Sequence, residues 1–154
     1  MNVMMNKEEK YQLLTEQIRA LTEGETDLVA KMANVAAAIH EEMGFFWTGF
    51  YRVVGEELIL GPFQGPVACM HIPFGRGVCG AAWKQRTTLV VPDVEKFPGH
   101  IACSSLSRSE IVVPVFSPDG EIVAVLDIDS KELGTFDEID RQHLETICQL
   151  LFTS

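Results

Sequence analysis

An α+β fold, with an antiparallel sheet covered by helices, is predicted by three observations on this sequence. Two segments of helical period open the chain. The period then falls to two across a series of short apolar runs. A strand–turn–strand unit is followed by one last amphipathic helix. With 154 residues the chain has enough length for one domain with a real core and too little for two ordinary ones. The whole chain, 1–154, is therefore expected to be one domain, with residues 1–6 a flexible terminus.

The first helix is expected over 7–22, where Tyr11, Leu14, Ile18 and Leu21 recur at helical spacing. A second follows over 27–43, through Leu28, Met32, Val35, Ala36, Ile39 and Met43, with Thr26 as its N-cap and Gly44 as its stop. Residues 45–52 then alternate, setting Phe45, Trp47 and Tyr51 on one face and Phe46, Thr48 and Phe50 on the other. Short strands are expected at 56–60, 67–72 and 88–91, with a short helix at about 78–85. The strongest strand pair is 110–116 with 121–129, joined by Ser117-Pro-Asp-Gly120. Thr135-Phe-Asp-Glu138 fits a capping box for a final helix from 136, whose stripe is Leu144, Ile147, Cys148 and Leu151.

Composition excludes some partners. A formal charge of −10 repels a nucleic-acid backbone or an anionic membrane. No apolar run approaches the roughly 20 residues that cross a bilayer, and the N-terminus lacks the basic-then-apolar order of a signal peptide. A cytoplasmic protein is expected. There, cysteines are reactive, metal-binding or buried more often than statically paired.

Four cysteines are present, and three of them, Cys69, Cys79 and Cys103, lie in a stretch rich in Gly and Pro. Zinc sites usually bring ligands in short pairs, and no Cys-x-x-Cys occurs. Cys69, His71, Cys79, His100 and Cys103 form the one set that could converge on a metal, and no metal is expected. Cys79 stands at a helix start, where backbone N–H groups favour a thiolate. Cys103 lies in the Pro98-Gly-His-Ile-Ala-Cys103 loop, where His100 could assist its ionisation. Cys69 is placed in a short strand with His71 on its face. Cys148 belongs to the helix stripe and is read as core. Gly75-Arg-Gly-Val-Cys-Gly80 also spells G-x-G-x-x-G, but no βαβ context surrounds it, and Asp93 and Glu95 follow too soon to bind a ribose.

The hairpin carries the sharpest inference. Pairing Phe116 with Glu121 sets Glu110 opposite Asp127, whereas a two-residue turn at Asp119-Gly120 sets it opposite Asp129. In either register Glu110, Asp127 and Asp129 share one face with Val112, Val123 and Val125. An odd-length loop would break that parity. Acids on a partly buried face resist ionising together, so at least one should keep a proton near neutral pH. Such a group is a proton donor, or a clamp for a substrate ammonium. Trp47 and Tyr51, on one strand face, could wall a small pocket suited to a methyl thioether.

Gln64-Gly-Pro-Val-Ala-Cys69, Ile72-Pro-Phe-Gly-Arg-Gly-Val-Cys79, Val91-Pro-Asp93, Phe97-Pro-Gly-His-Ile-Ala-Cys103, Ser109-Glu-Ile-Val-Val-Pro114 and Val125-Leu-Asp-Ile-Asp-Ser130 together resemble the free methionine-(R)-sulfoxide reductases. These are a catalytic branch of the GAF-domain fold. The likeness runs from about Leu13 to Leu151. It implies a six-stranded antiparallel sheet with helices on one side and a closed pocket on the other. It implies that free methionine sulfoxide is the substrate and thioredoxin the reductant, that no metal or organic cofactor takes part, and that the protein is a homodimer. The resemblance carries the three cysteines onto Cys69, Cys79 and Cys103. It sets Trp47 against the substrate methyl, and Glu110, Asp127 and Asp129 around the sulfoxide and amino groups. Cys103 is the expected nucleophile, with Cys69 or Cys79 to resolve it. The rival is a non-catalytic GAF module that binds a small ligand or senses redox state.

Overall fold

A computed structural model describes residues 4–101 and 103–153. Two helices lead, α1 (Lys7–Thr22) and α2 (Leu28–Met43). Strands β1 (Trp47–Val54), β2 (Glu57–Gln64) and β3 (His71–Pro73) follow, then α3 (Gly77–Gln85) and β4 (Leu89–Val91). After a single 3-10 turn at Val94–Lys96 come β5 (Ser109–Phe116), β6 (Ile122–Ser130), α4 (Glu138–Gln149) and a terminal 3-10 turn at Leu150–Phe152.

The six strands form one sheet in the order β3-β2-β1-β6-β5-β4, every neighbouring pair antiparallel. The expected α+β fold is the observed one. Alternation sends Ile111, Val113 and Val115 of β5, and Ala124, Leu126 and Ile128 of β6, to one face. There they meet the apolar stripes of α1, α2 and α4 in a dry core that includes Tyr11, Ile39 and Leu144. The opposite face carries Trp47, Tyr51, Val112 and Val125 and is covered by α3 through Val78, Cys79 and Ala82. One sheet thus separates an apolar core from a second, smaller cluster.

Several boundaries differ from expectation for local reasons. Asp27, not Thr26, caps α2, its side chain accepting from the N–H of Ala30 at 2.9 Å, while Glu25 accepts from the N–H groups of both Thr26 and Asp27. Gly44 does stop the helix, in the left-handed region. Asp137 rather than Thr135 caps α4, in a box closed by Asp140; the Thr135 hydroxyl bonds Ser130 instead, at 2.6 Å. The expected flexible terminus 1–6 falls partly outside the described residues, and Asn6 caps α1. Phe45 and Phe46 exchange their expected faces. Regular alternation starts only at Trp47, so Phe45 packs toward the helix-side core and Phe46 toward the other cluster.

The hairpin keeps its parity by an unforeseen route. Its turn has three residues, with the Ser117 N–H donating to Glu121 O at 2.8 Å, and an odd turn alone would put the acids on opposite faces. A β-bulge restores the register. Phe116 lies opposite Ile122 but Val115 lies opposite Ala124, leaving Val123 unpaired. From there on Glu110 faces Asp129 and Val112 faces Asp127. The bulged Val123 turns away from the acids and packs against the helix-side core, contrary to expectation.

Candidate active site

The pocket-side face of β1, β5 and β6 lies under α3 and two loops, 65–70 and 97–108. Between them is a cavity of about 50 Å³, several times the ~10–15 Å³ that admits one water. Every site residue expected from sequence lines it except Cys69, which lies in the covering loop: Trp47, Tyr51, Cys79, Cys103, Glu110, Asp127 and Asp129 all do.

Trp47 and Tyr51 stack with ring centroids 5.9 Å apart and use their polar tips to hold the first loop. Trp47 Nε1 donates to Pro66 O and the Tyr51 hydroxyl to Cys69 O, each at 2.9 Å. Close approach here demands glycine: a Cβ on Gly65 would stand 2.7 Å from Trp47 Cδ1. Strand β3 begins only at His71, so Cys69 sits in this loop and not in the strand expected over 67–72. His71 points elsewhere, pairing with Glu57 at 3.0 Å in solvent.

Cys69 and Cys103 form a disulfide, their Cα atoms 5.5 Å apart. It joins the two loops beside the cavity across 34 residues of sequence. Cys79 and Cys148 are free and buried. The thiolate expected for Cys79 at the start of α3 is not favoured. Burial, then the charges of Asp127, Glu110 and Asp129, push its thiol well above the ordinary value. Three acids in front of it outweigh the partial positive charge of a helix terminus. His100 lines the cavity, and partial burial lowers its pKa.

The acids behave as their shared face predicts. Burial, then the charge of Asp129, pushes Glu110 up to about 8. Asp127 and Asp129 are also raised well above the usual carboxylate value, first by burial and then by the neighbouring carboxylate, Glu110 for Asp127 and Asp127 for Asp129. Cys79 Sγ donates to Glu110 Oε2 across 3.9 Å. Among the described residues no donor reaches the buried Asp127 Oδ1, so a shared proton or a cationic ligand can satisfy it. Among the described residues the group able to surround a metal is Cys79, Glu110 and Asp127, with donor atoms all within 4.8 Å. The raised pKa values of all three groups favour protons there, and a metal ion would have to displace them.

The sequence reading passed over several lining residues, among them Arg76, Ser104 and Ser107. Loops give no periodic signal. For Arg76 the trace was a cation set between two glycines, in a motif weighed only for its glycines.

Residues 22–151 match the GAF domain family model, and the chain belongs to that family. It is 58% identical over 147 residues to GAF domain-containing protein A of Dictyostelium discoideum, covering 95% of this chain and 92% of the relative. It is 44% identical over 144 residues to the free methionine-R-sulfoxide reductase of Escherichia coli K12, covering 93% and 87%. The crystal structure of free methionine-R-sulfoxide reductase from Neisseria meningitidis in complex with its substrate shares 52% identity and a TM-score of 0.93, over 98% of this chain and 91% of that one. Within the GAF domains, the chain is a member of the free methionine-R-sulfoxide reductase family, a family of oxidoreductases. No helix of the described residues is long and apolar enough to cross a membrane.

Proposed function

We propose that this chain reduces free L-methionine (R)-sulfoxide to L-methionine, using Cys103 as nucleophile and Cys69 as the resolving thiol. The observation that carries the reading is a Cys69–Cys103 disulfide beside a cavity walled by three carboxyl groups with raised pKa values. A sulfoxide oxygen is a poor leaving group until protonated, and a neutral carboxyl of the Glu110/Asp129 pair is a suitable donor. Trp47 and Tyr51 suit the methyl-thioether end, while Asp127 suits the substrate ammonium.

The reduced Cys103 thiolate attacks the sulfoxide sulfur. The oxygen ends on Cys103 as sulfenic acid and methionine departs. The Cys69 thiol then displaces that oxygen as water and forms the disulfide. A thioredoxin-type dithiol reduces the disulfide in the cytoplasm and is itself oxidised. No step calls for a metal or an organic cofactor. The observed pairing supports Cys69 over Cys79 as the resolving thiol, since Cys79 is buried among acids with its thiol protonated. Association as a homodimer through α1 and α2 is supported by exposed Leu13, Leu21 and Val29 on those helices.

The test supplies each sulfoxide epimer of free methionine with thioredoxin, its reductase and NADPH. NADPH loss with the R epimer alone is expected, and Cys103→Ser should abolish it. Cys69→Ser should release about one methionine per chain and then stall. No turnover of either epimer by fully reduced protein would reject the reading and leave a ligand-binding GAF module.

A further inference from the structure

The Cys69–Cys103 disulfide is not sealed inside the protein. Both of its residues are partly exposed, in the loops 65–70 and 97–108. Large apolar side chains stand in solvent next to it: Val67 is 90% exposed, Met70 67% and Leu106 55%. Consecutive Cα atoms are about 3.8 Å apart, so Val67 and Met70 lie within roughly 8 Å of Cys69, and Leu106 within roughly 11 Å of Cys103. With the two cysteine Cα atoms 5.5 Å from each other, all three apolar residues lie close to the one bond. Met70 and Leu106 do not line the cavity, so holding a small substrate does not account for them.

Charge is missing from the same surface. Residues 65–75 and 97–107 contain no Lys, Arg, Asp or Glu, in a chain where 22% of residues are charged. Each segment is followed at once by an exposed cation, Arg76 and Arg108. An uncharged apolar centre that includes a methionine, with charge only at its margin, has the composition of a protein–protein contact. A small thiol reaches a disulfide without docking. A protein dithiol has to lay its own surface around the bond before its sulfur arrives.

Resting on the proposed recycling of this disulfide, we propose that Val67, Met70 and Leu106 form the docking face for a thioredoxin-type protein dithiol, whose thiolate attacks Cys69. Cys103 lines the cavity, whereas Cys69 belongs to the covering loop and is flanked by two of the three apolar residues. The partner sulfur bonds Cys69 Sγ, the Cys69–Cys103 bond breaks, and Cys103 leaves as a thiolate at the cavity wall. The partner's second thiol then displaces Cys69 and closes the partner's own disulfide. Two electrons and two protons pass to Cys69 and Cys103, and the partner is oxidised.

The test mixes the oxidised chain with reduced thioredoxin, in the absence of any sulfoxide, and follows loss of the disulfide by thiol counting. The double variant Met70→Ser, Leu106→Ser should react with thioredoxin about 10-fold more slowly than wild type, the effect of truncating an interface contact. Its reduction by dithiothreitol should be unchanged. Equal slowing with both reductants, or none with thioredoxin, overturns the docking face. Conversion of a dimer to a monomer by these substitutions, seen by sedimentation, would give the face to a second copy and likewise overturn it. Should the double variant fail to fold, Leu106→Ser alone carries the same comparison. A thioredoxin with its resolving cysteine replaced by serine should be trapped on Cys69, and trapping on Cys103 overturns the assigned sulfur. Since no sulfoxide is present, these outcomes hold even if methionine sulfoxide is not turned over, a result that would reject the reductase reading instead.

Discussion

Asp140 at the start of α4 and Asp127 on β6 are both buried carboxylates, served in opposite ways. Asp140 is fully buried and accepts from Lys7 Nζ at 2.7 Å, the Tyr11 hydroxyl at 2.6 Å and the N–H of Asp137 at 2.9 Å. Its lone pairs are spent on joining α1 to α4. Asp127 has other acids and a thiol for neighbours and, among the described residues, an oxygen with no donor. A buried acid saturated by donors holds structure, whereas buried acids set against each other hold protons and wait for a ligand. The two free thiols divide likewise. Cys148 lies in the helix-side core, while Cys79 lies against carboxyl groups.

Neutralising one member of each set is the strongest way to break this contrast. Glu110→Gln should cut kcat by about 10²–10⁴, as loss of an acid catalyst does, without lowering Tm. Asp140→Asn should do the reverse. It should cost ~2 kcal/mol, or about 4–8 °C in Tm, with turnover per folded molecule retained. Thermal melts and steady-state rates on both variants check the pair. A Glu110→Gln protein that melts well below wild type with full activity would erase the distinction.

A pH series sharpens it. Glu110 has a folded pKa of about 8 against an ordinary 4.5, so the folded chain holds a proton that the unfolded chain releases between those values. Stability from this group is fully present below about pH 4.5 and is lost as pH rises through about 8. The raised Asp127 and Asp129 act in the same direction. Tm should therefore fall from pH 5 to 8.5, kcat should decline near pH 8, and Glu110→Gln should flatten part of the Tm slope. A Tm that rises across that window would contradict a protonated cluster. The smallest effect belongs to Cys148→Ala, expected to leave turnover unchanged and to cost about 1 kcal/mol by chemical denaturation.

The acid face was legible in the sequence because strand parity is a local property: residues two apart share a side wherever the strand lies. Its survival was not legible. The turn after Phe116 is odd, and only the bulge at Val123 returns Glu110 to the side of Asp127 and Asp129. The helix stripes that build the core were read correctly except at Leu21, which is half exposed while Thr22 is buried in its place, and the cap residues shifted by one or two positions. Neighbouring polar side chains took over the roles: Asp27 accepts from the N–H of Ala30, and the Thr135 hydroxyl is spent on Ser130. The cysteine motifs pointed to the right stretch of chain. That Cys69 rather than Cys79 meets Cys103 rests on loop paths fixed by Trp47 and Tyr51, and no sequence period records them. Arg76 escaped notice because an isolated cation between glycines carries no pattern.

By itself the sequence determined the α+β order of elements, the alternation that gathers Glu110, Asp127 and Asp129, and six fragments that match one reductase family. Each follows from short-range spacing along the chain. Tertiary structure alone decided the 34-residue disulfide closure, the burial that raises the pKa values of the acids and the reversal at Cys79. Those depend on distance through space and on removal from water, and both are set only when the loops and α3 close over the sheet.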